Sequence, residues 1–251
     1  MKKVIRNATL AVLVTAHAVL AEEEKQDNPN DQVALAEIAQ NDKQPLLRVA
    51  AIEKLDNQAI LAEIALNDQE EGLVREAAIK KLDTQELLAK VAKSKGAGYN
   101  AYTAVQKLHD QTLLTDIAKT AGNWQVRIAA VRKLESQATL VEIVNNDKHG
   151  VVRKMAVEQI NDQAVLTEIA RKNSDGYARQ AAIGLLEDQA VIAEIVRNEK
   201  ALIVRLTAIG RLDDQAFLAE IAQGDNDKNV RQAAKARQEE LRETKAEANI
   251  P

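Results

Sequence analysis

Residues 162–187 read DQAVLTEIARKNSDGYARQAAIGLLE, and residues 188–213 read DQAVIAEIVRNEKALIVRLTAIGRLD. The two stretches align without a gap, and the glutamine in their second position recurs along the chain every 26 residues, apart from one interval of 27. The members of this column are Gln32, Gln58, Gln85, Gln111, Gln137, Gln163, Gln189 and Gln215. A fixed period of this size is typical of proteins built from stacked structural repeats.

Each glutamine follows a residue whose side chain favours the start of a helix. These residues are Asp31, Asn57, Thr84, Asp110, Ser136, Asp162, Asp188 and Asp214. Their side-chain oxygens can accept hydrogen bonds from the otherwise unpaired amides of a first helical turn. The sequence therefore predicts that every repeat begins a helix at the same point.

Apolar residues recur at helical spacing in two successive patterns per repeat, separated by a polar break. The two columns of the first helix are Leu35, Leu61, Leu88, Leu114, Leu140, Leu166, Ile192 and Leu218, and Ile38, Ile64, Val91, Ile117, Ile143, Ile169, Ile195 and Ile221. The second pattern contains an alanine column of Ala51, Ala78, Ala104, Ala130, Ala156, Ala182, Ala208 and Ala234. Small residues are expected where two helix backbones cross closely. Each repeat is therefore predicted to be a helical hairpin.

Hairpins of such short helices cannot hold themselves in water, so the missing burial has to come from stacking. The sequence predicts an all-α fold, an α-solenoid with a right-handed superhelix of about eight short helical-hairpin repeats. We assign the solenoid to residues 31–238, an acidic polar linker to residues 22–30, and a polar C-terminal cap and tail to residues 239–251.

The first 21 residues differ from the repeats. Lys2, Lys3 and Arg6 precede an uncharged run that ends in Val19-Leu20-Ala21, with small residues where a signal peptidase recognises its substrate. We predict a secretory signal in residues 1–21, cleaved after Ala21, and hence a periplasmic or secreted bacterial protein. The alternative is a helix of the fold, since residues 17–22 loosely resemble the repeat.

Composition excludes several classes of function. The chain has no cysteine, which excludes disulfides and thiolate ligands. Without the signal, 31 Lys and Arg stand against 38 Asp and Glu, a balance that argues against a nucleic-acid partner. The N-terminal apolar run is shorter than the roughly 20 residues that span a bilayer, so we expect no membrane span in the mature chain. We expect a monomer.

The pattern Asp-Gln-Ala-x-Leu-x-Glu-Ile-Ala, then Asn-Asp, then Val-Arg-x-Ala-Ala-Ile-x-x-Leu, resembles the HEAT family of repeats. The resemblance covers residues 31 to about 238. It implies a structural ladder along the loops, in which an Asp and an Arg six residues later bond, as the spacing of Asp147 and Arg153 allows. The residues that we assign to this ladder are Asp42, Arg48, Asp68, Arg75, Arg127, Asp147, Arg153, Arg179, Arg205, Asp225 and Arg231.

The unit of 26 residues is short for this family, whose repeats have about 40 residues. In its length it is similar to the leucine-rich variant repeat, which implies that the first helix could be shorter and partly 3₁₀. Members of that variant family can carry an iron–sulfur module, but a chain without cysteine cannot ligate one through thiolates.

No motif in the sequence points to catalysis. Phosphate-binding loops and nucleophile elbows are absent, and Gly96-x-Gly98 lacks the third glycine of a dinucleotide fingerprint. His109 and His149 belong to different repeats and stand forty residues apart, so we interpret them as solvated or capping histidines. We predict no catalytic residue, no cofactor and no metal.

The third repeat departs most from the pattern. It has Lys95 and Ala101 at the two ladder positions, and aromatic residues gather at the start of its second helix and of the next one. Tyr and Trp are typical anchors of protein interfaces, and the HEAT resemblance implies that second helices line a binding face. Our candidate partner-binding residues are Tyr99, Tyr102, Trp124, Ile128 and Arg132. The alternative is that the rings fill space under the loops of a degenerate repeat.

The sequence therefore favours a non-enzymatic scaffold that binds a protein partner, because repeats supply surface and no residue constellation supplies chemistry. Two alternatives stay open. One is a HEAT-like enzyme of the lyase or DNA glycosylase type, and the other is a purely structural spacer.

Overall fold

The structure is a computed structural model that describes residues 29–95 and 98–247. Within these residues the chain forms α-helices and no strand. The helices are α1 Pro29–Asn41, α2 Pro45–Lys54, α3 Gln58–Leu66, α4 Gly72–Lys81, α5 Gln85–Lys93, α6 Tyr99–Lys107, α7 Gln111–Thr120, α8 Trp124–Val131, α9 Gln137–Asn146, α10 Gly150–Glu158, α11 Gln163–Lys172, α12 Gly176–Leu185, α13 Gln189–Asn198, α14 Leu202–Ile209, α15 Gln215–Gly224 and α16 Lys228–Glu247. The predicted signal peptide lies outside the described residues, as does most of the linker.

The helices pair and stack as an α-solenoid of short hairpins, which confirms the predicted fold class. Each odd-numbered helix is the first helix of a repeat and packs against the second helix that follows it. The helices fall into two compact units divided after Lys133, so that α1–α8 form one unit and α9–α16 form the other. Within each unit, every second helix also packs against the second helix of the next repeat.

The core of each unit consists of the predicted columns. Every Leu and Ile of the two first-helix columns is at most 6% exposed, and all eight alanines of the second-helix column are fully buried. A buried side chain no larger than a methyl group lets the helix packed against it approach closely. The burial explains why helices of eight to ten residues persist here although they are too short to be stable alone.

The predicted caps explain where most first helices begin. Side chains of six of the eight predicted capping residues accept a bond from an amide of the first turn: Asn57, Asp110, Ser136, Asp162, Asp188 and Asp214. Thr84 makes no such bond. Asp31 lies inside the first turn of α1, because that helix already begins at Pro29, where a proline is well tolerated. The first helices are α-helical throughout, so the expected 3₁₀ element is not found among the described residues.

The last helix is twice as long as the other second helices. α16 has 20 residues, and the predicted boundary between solenoid and cap at residues 238–239 falls inside it. The helix continues because its outer half is rich in Lys, Arg, Gln and Glu, which are good helix formers that need no burial. It covers the end of the stack with a polar surface, as a terminal repeat must.

Candidate functional site

The ladder arginines bond first to their own loop. Arg153 Nη1 donates to the carbonyl oxygen of Asp147 at 2.7 Å, and Arg179 Nη1 makes the same bond to Asn173 at 2.7 Å. The acceptor is a backbone carbonyl six residues before the arginine, so the side chain at that position is not needed for it. Arg48, Arg127 and Arg231 bond to the equivalent carbonyls of Asp42, Ala121 and Asp225.

The same arginines then reach a carboxylate of the next repeat. Arg153 Nε lies 2.8 Å from Asp175 Oδ2, and Arg179 Nε lies 3.0 Å from Glu199 Oε2. Further pairs are Arg48 with Glu70 at 2.8 Å and Arg205 with Asp225. These ion pairs are the rungs of the ladder, and they link successive repeats. The sequence had predicted a bond between each arginine and an acid of its own loop.

Glu70, Asp175 and Glu199 were missed from sequence. Each lies 20 to 22 residues after its arginine, so an acid anywhere in the following loop was the available signal. Asp68, which the sequence assigns to the ladder, instead accepts a bond from the Gln69 side chain at 3.1 Å, and Glu70 forms the rung. The ladder role of Arg75 stays a prediction.

The ladder acids also fold the loops. Asp147 Oδ1 accepts from the amide of His149 at 2.7 Å, and Asp42 Oδ1 accepts from the amide of Gln44 at 2.7 Å. An acidic side chain that bonds an amide two residues later forms a tight turn. Residues such as Asp147 therefore shape the entry to the second helix.

The recurring glutamine closes most of the hairpins, a role that the sequence pattern did not reveal. Gln163 Nε2 donates to the carbonyl of Leu185 at 3.1 Å, and its Oε1 accepts from the amide of Glu187 at 3.1 Å. The glutamine at the start of the first helix thus caps the end of the second helix of the same repeat. Gln32, Gln58, Gln85, Gln137 and Gln189 make the corresponding pair of bonds.

The third repeat replaces the ladder by small and neutral groups. Ala101, at the arginine position, is 2% exposed, and Ala121, at the acid position of the fourth repeat, is 4% exposed. Both partners of this rung are therefore absent together. Asn100, which is 4% exposed in a column that is otherwise mainly valine, donates instead to the carbonyl of Gly72 in the second repeat at 3.4 Å. Gly98 begins the helix with a φ of 51°, a conformation that favours glycine.

Three of the candidate binding residues form an exposed aromatic cluster in the first unit. Tyr99 is 71% exposed, Tyr102 is 40% exposed, and their ring centroids lie 6.1 Å apart in a stacked arrangement. Trp124 is 37% exposed at the start of α8, which packs against α6. The structure therefore presents all three rings on neighbouring second helices. Hereafter "the aromatic cluster" means Tyr99, Tyr102 and Trp124.

The other two candidate residues differ from each other. Ile128 is only 9% exposed and belongs to the core, so it offers no contact surface. In the second unit the same column holds Gln180, which donates to Thr207 of the following repeat at 3.1 Å. Arg132 is exposed at the end of α8 and can contribute to a surface.

Charge beside the aromatic cluster is distributed unevenly. Lys80 Nζ lies 2.8 Å from Glu76 Oε1, and this bond raises the pKa of Lys80, with a smaller contribution from Tyr99 nearby. Lys133 Nζ donates to the carbonyl of Gln106 at 2.6 Å and so caps the end of α6. Burial lowers the pKa of Lys133. Arg132 is an exposed cation at the C-terminal end of α8.

Neither a metal-binding group nor a membrane-spanning helix is found among the described residues. Residues 29–95 and 98–247 contain no group of three His, Asp or Glu side chains arranged to hold a metal ion. No helix in these two ranges is both long enough and apolar enough to cross a membrane. Comparison of the chain with protein-family models, with curated proteins and with solved structures gives no match.

Proposed function

We propose that the chain is a non-enzymatic scaffold that binds a protein partner through the second helices of its third and fourth repeats. The observation that carries the proposal is the exposed aromatic cluster, in which Tyr99 and Tyr102 stack and Trp124 lies on the adjacent helix. Single exposed apolar residues are normal on a protein surface, but several large exposed rings on adjacent helices are typical of a binding site.

The recurring polar residues of the repeats support this proposal because their own roles are structural. Most of the ladder arginines, column glutamines and capping aspartates are engaged in bonds that hold the hairpins and their neighbours together. Their recurrence therefore has a structural explanation. Tyr99 has no such recurrence, because its position in the repeat is held by Leu73 in the second repeat and by Gln125 in the fourth. Tyr and Trp anchor interfaces because they bury a large area at a low cost in conformational entropy.

The proposed setting is the cell envelope or the secreted space of a bacterium. The support is the charged and then uncharged N-terminal segment that ends in Val19-Leu20-Ala21, which has the order of a secretory signal. We also propose that the repeat array belongs to the HEAT-like class and acts as a monomer. The hairpin architecture and the arginine ladder support the HEAT-like class.

Affinity purification from the native envelope fraction tests the function, with the Tyr102→Ala, Trp124→Ala double variant beside the unaltered chain. Tyr177→Ala is the matched control, because Tyr177 occupies the repeat position of Tyr99 in the sixth repeat and is 69% exposed. Recovery of one protein by the unaltered chain and by the control, but not by the double variant, supports the proposal. The purified partner should then bind the double variant at least about 30-fold more weakly, the loss expected of an interface hot spot.

The other outcomes have equally definite meanings. Equal recovery by all three chains would keep a binding function and move its site away from the aromatic cluster. Recovery of no protein by any of them would favour a structural spacer. Circular dichroism of each chain is needed beside the purification, because a loss of helicity in the double variant would instead assign the rings to packing under the loops.

A further inference from the structure

The charge of the first unit changes sign along its repeats. Residues 31–83, which form the first two repeats, contain six Lys and Arg against eleven Asp and Glu. Residues 85–133 contain eight Lys and Arg against three Asp and Glu, although the whole chain has a net charge of −4. The basic part of an acidic protein thus coincides with the repeats that carry the aromatic cluster.

The carboxylates are missing from the second helices themselves. Residues 95–109 and 117–134, which include α6 and α8, contain neither Asp nor Glu. In the second repeat, by contrast, α4 carries Glu76, which is bonded to Lys80. A partner that approaches α6 and α8 therefore meets no carboxylate on these two helices.

Part of the positive charge in this region has a structural task. Lys107 Nζ donates to the carbonyl of Lys80, and Lys133 donates to that of Gln106, so both lysines cap the end of the preceding second helix. Arg127 is buried and bonds to the carbonyl of Ala121. Lys95 and Arg132 are exposed at the two ends of the region. These two cations are available to an incoming ligand.

We propose that this surface docks an acidic segment of the partner protein, whose apolar side chains contact the aromatic cluster and whose carboxylates meet Lys95 and Arg132. The inference rests on the proposed function and names the chemistry of its partner. Complementary charge around an apolar centre is the usual arrangement of a specific interface. Two apolar side chains of the segment about 10 Å apart would match neighbouring second helices, which pack at about that distance.

Selection from a random peptide library displayed on phage tests the chemistry without a known partner. The full chain is the target, and peptides that also bind the Tyr102→Ala, Trp124→Ala double variant are discarded. The recovered peptides should be enriched in Asp and Glu beside Leu, Phe or Trp. A synthetic copy of one peptide should bind more weakly as the salt concentration rises, because screening weakens exposed charge pairs.

Charge reversal separates this inference from the proposed function. The Lys95→Glu, Arg132→Glu double variant should bind the synthetic peptide at least about tenfold more weakly, since like charges then face each other. Lys148→Glu, which reverses an exposed loop cation of the second unit, is the control and should leave the affinity unchanged.

Two results would overturn the inference while the proposed function stands: recovered peptides that are neutral or basic, or an acidic peptide whose affinity is unchanged by the reversal of Lys95 and Arg132. Binding of anionic lipid vesicles in place of any peptide would also overturn it. Failure of the aromatic alanine variant to weaken a bound native partner would count against the proposed site instead.

Discussion

Arg179 of the sixth repeat and Glu199 of the seventh form an ion pair in which Nε and Oε2 lie 3.0 Å apart, and only 14% and 13% of the two side chains are exposed. The guanidinium also donates to the carbonyl of Asn173 in its own loop at 2.7 Å. One side chain therefore fixes the loop of its repeat and the position of the next repeat. The stack is held along its loops by these partly buried rungs as well as by the apolar columns.

Removal of one rung should destabilise the unit that contains it. We expect Arg179→Ala to lower the free energy of unfolding by about 2 kcal/mol or more, because the Glu199 carboxylate then stays partly buried without its charged donor. Urea unfolding followed by circular dichroism measures the change. Lys154→Ala is the control, since Lys154 and Glu158 form an ion pair whose side chains are 56% and 38% exposed and should contribute less than about 0.5 kcal/mol. Equal effects of the two substitutions would contradict a structural ladder.

The stability that each column glutamine contributes should depend on the hydrogen bonds that its side chain makes. Gln189 donates to the carbonyl of Arg211 and accepts from the amide of Asp213, so Gln189→Ala leaves two polar groups at a helix end without a partner. We expect a loss of about 1–2 kcal/mol in the free energy of unfolding.

Gln215 is the matched control for this column. Within the described residues its side chain makes no hydrogen bond, and only its backbone carbonyl accepts from Gln238. Gln215→Ala should therefore cost a few tenths of a kcal/mol at most, the range of an ordinary surface substitution. A loss as large as that of Gln189→Ala would show that the glutamine acts through helix propensity and not through the closing bonds.

The helix caps allow a comparison within one column. Asp162 Oδ1 accepts from the amides of Ala164 and Val165 at 2.8 and 3.2 Å, whereas Thr84, at the same repeat position, makes no capping bond. Asp162→Ala should cost about 1 kcal/mol of stability, and Thr84→Ala should cost less. Thermal unfolding of both variants checks the order, and the reverse order would refute the assignment of the caps.

The buried columns could be predicted from sequence because they repeat in step with the helix period. Ala156 and Leu166 are each fixed by their own place in one repeat, and stacking imposes the same environment on every copy. The rungs could be predicted only in part, because the acid that meets an arginine lies in the following loop at a separation that varies between repeats. Glu70 and Glu199 therefore have no common offset to find.

The candidate binding surface could also be predicted only in part. The aromatic residues could be identified as exposed because they replace smaller or polar residues at the starts of second helices. The burial of Ile128 could not, since Tyr102 at the same position of the preceding repeat is 40% exposed. The closing role of Gln163 was also inaccessible, because both of its partners are backbone groups.

Acid should weaken the contact between the first helices of the third and fourth repeats. Lys93 Nζ lies 2.6 Å from Asp116 Oδ2, and this hydrogen bond is the main cause that lowers the pKa of Asp116 in the folded chain. A carboxyl whose pKa is lower in the folded than in the unfolded state stabilises the fold above its unfolded value of about 3.9. That contribution is lost as the pH falls through the folded pKa.

The expected difference between the unaltered chain and Asp116→Asn is therefore present at neutral pH and disappears in strong acid. It should be small, because both side chains are about two-fifths exposed. Thermal unfolding as a function of pH measures it, and carboxyl titration by NMR gives the pKa directly. In Lys93→Gln the pKa of Asp116 should move back towards its ordinary value, and an unchanged pKa would refute the assigned cause.

Replacement of two glycines by alanine should change the stability of the fold in opposite directions. Gly98 has a φ of 51° and a ψ of −125°, which a residue with a side chain adopts only with strain, so Gly98→Ala should destabilise the fold by about 1–3 kcal/mol although no atom lies within 4 Å of the added methyl group. Gly184 lies exposed in α12, and a methyl group there also meets nothing within 4 Å. Gly184→Ala should stabilise the fold by about 0.5–1 kcal/mol, because alanine restricts the unfolded chain and favours the helix. Chemical denaturation of both variants decides between backbone strain and space as the constraint at Gly98. A neutral Gly98→Ala would mean that the start of α6, and with it the position of Tyr99, does not depend on the left-handed conformation.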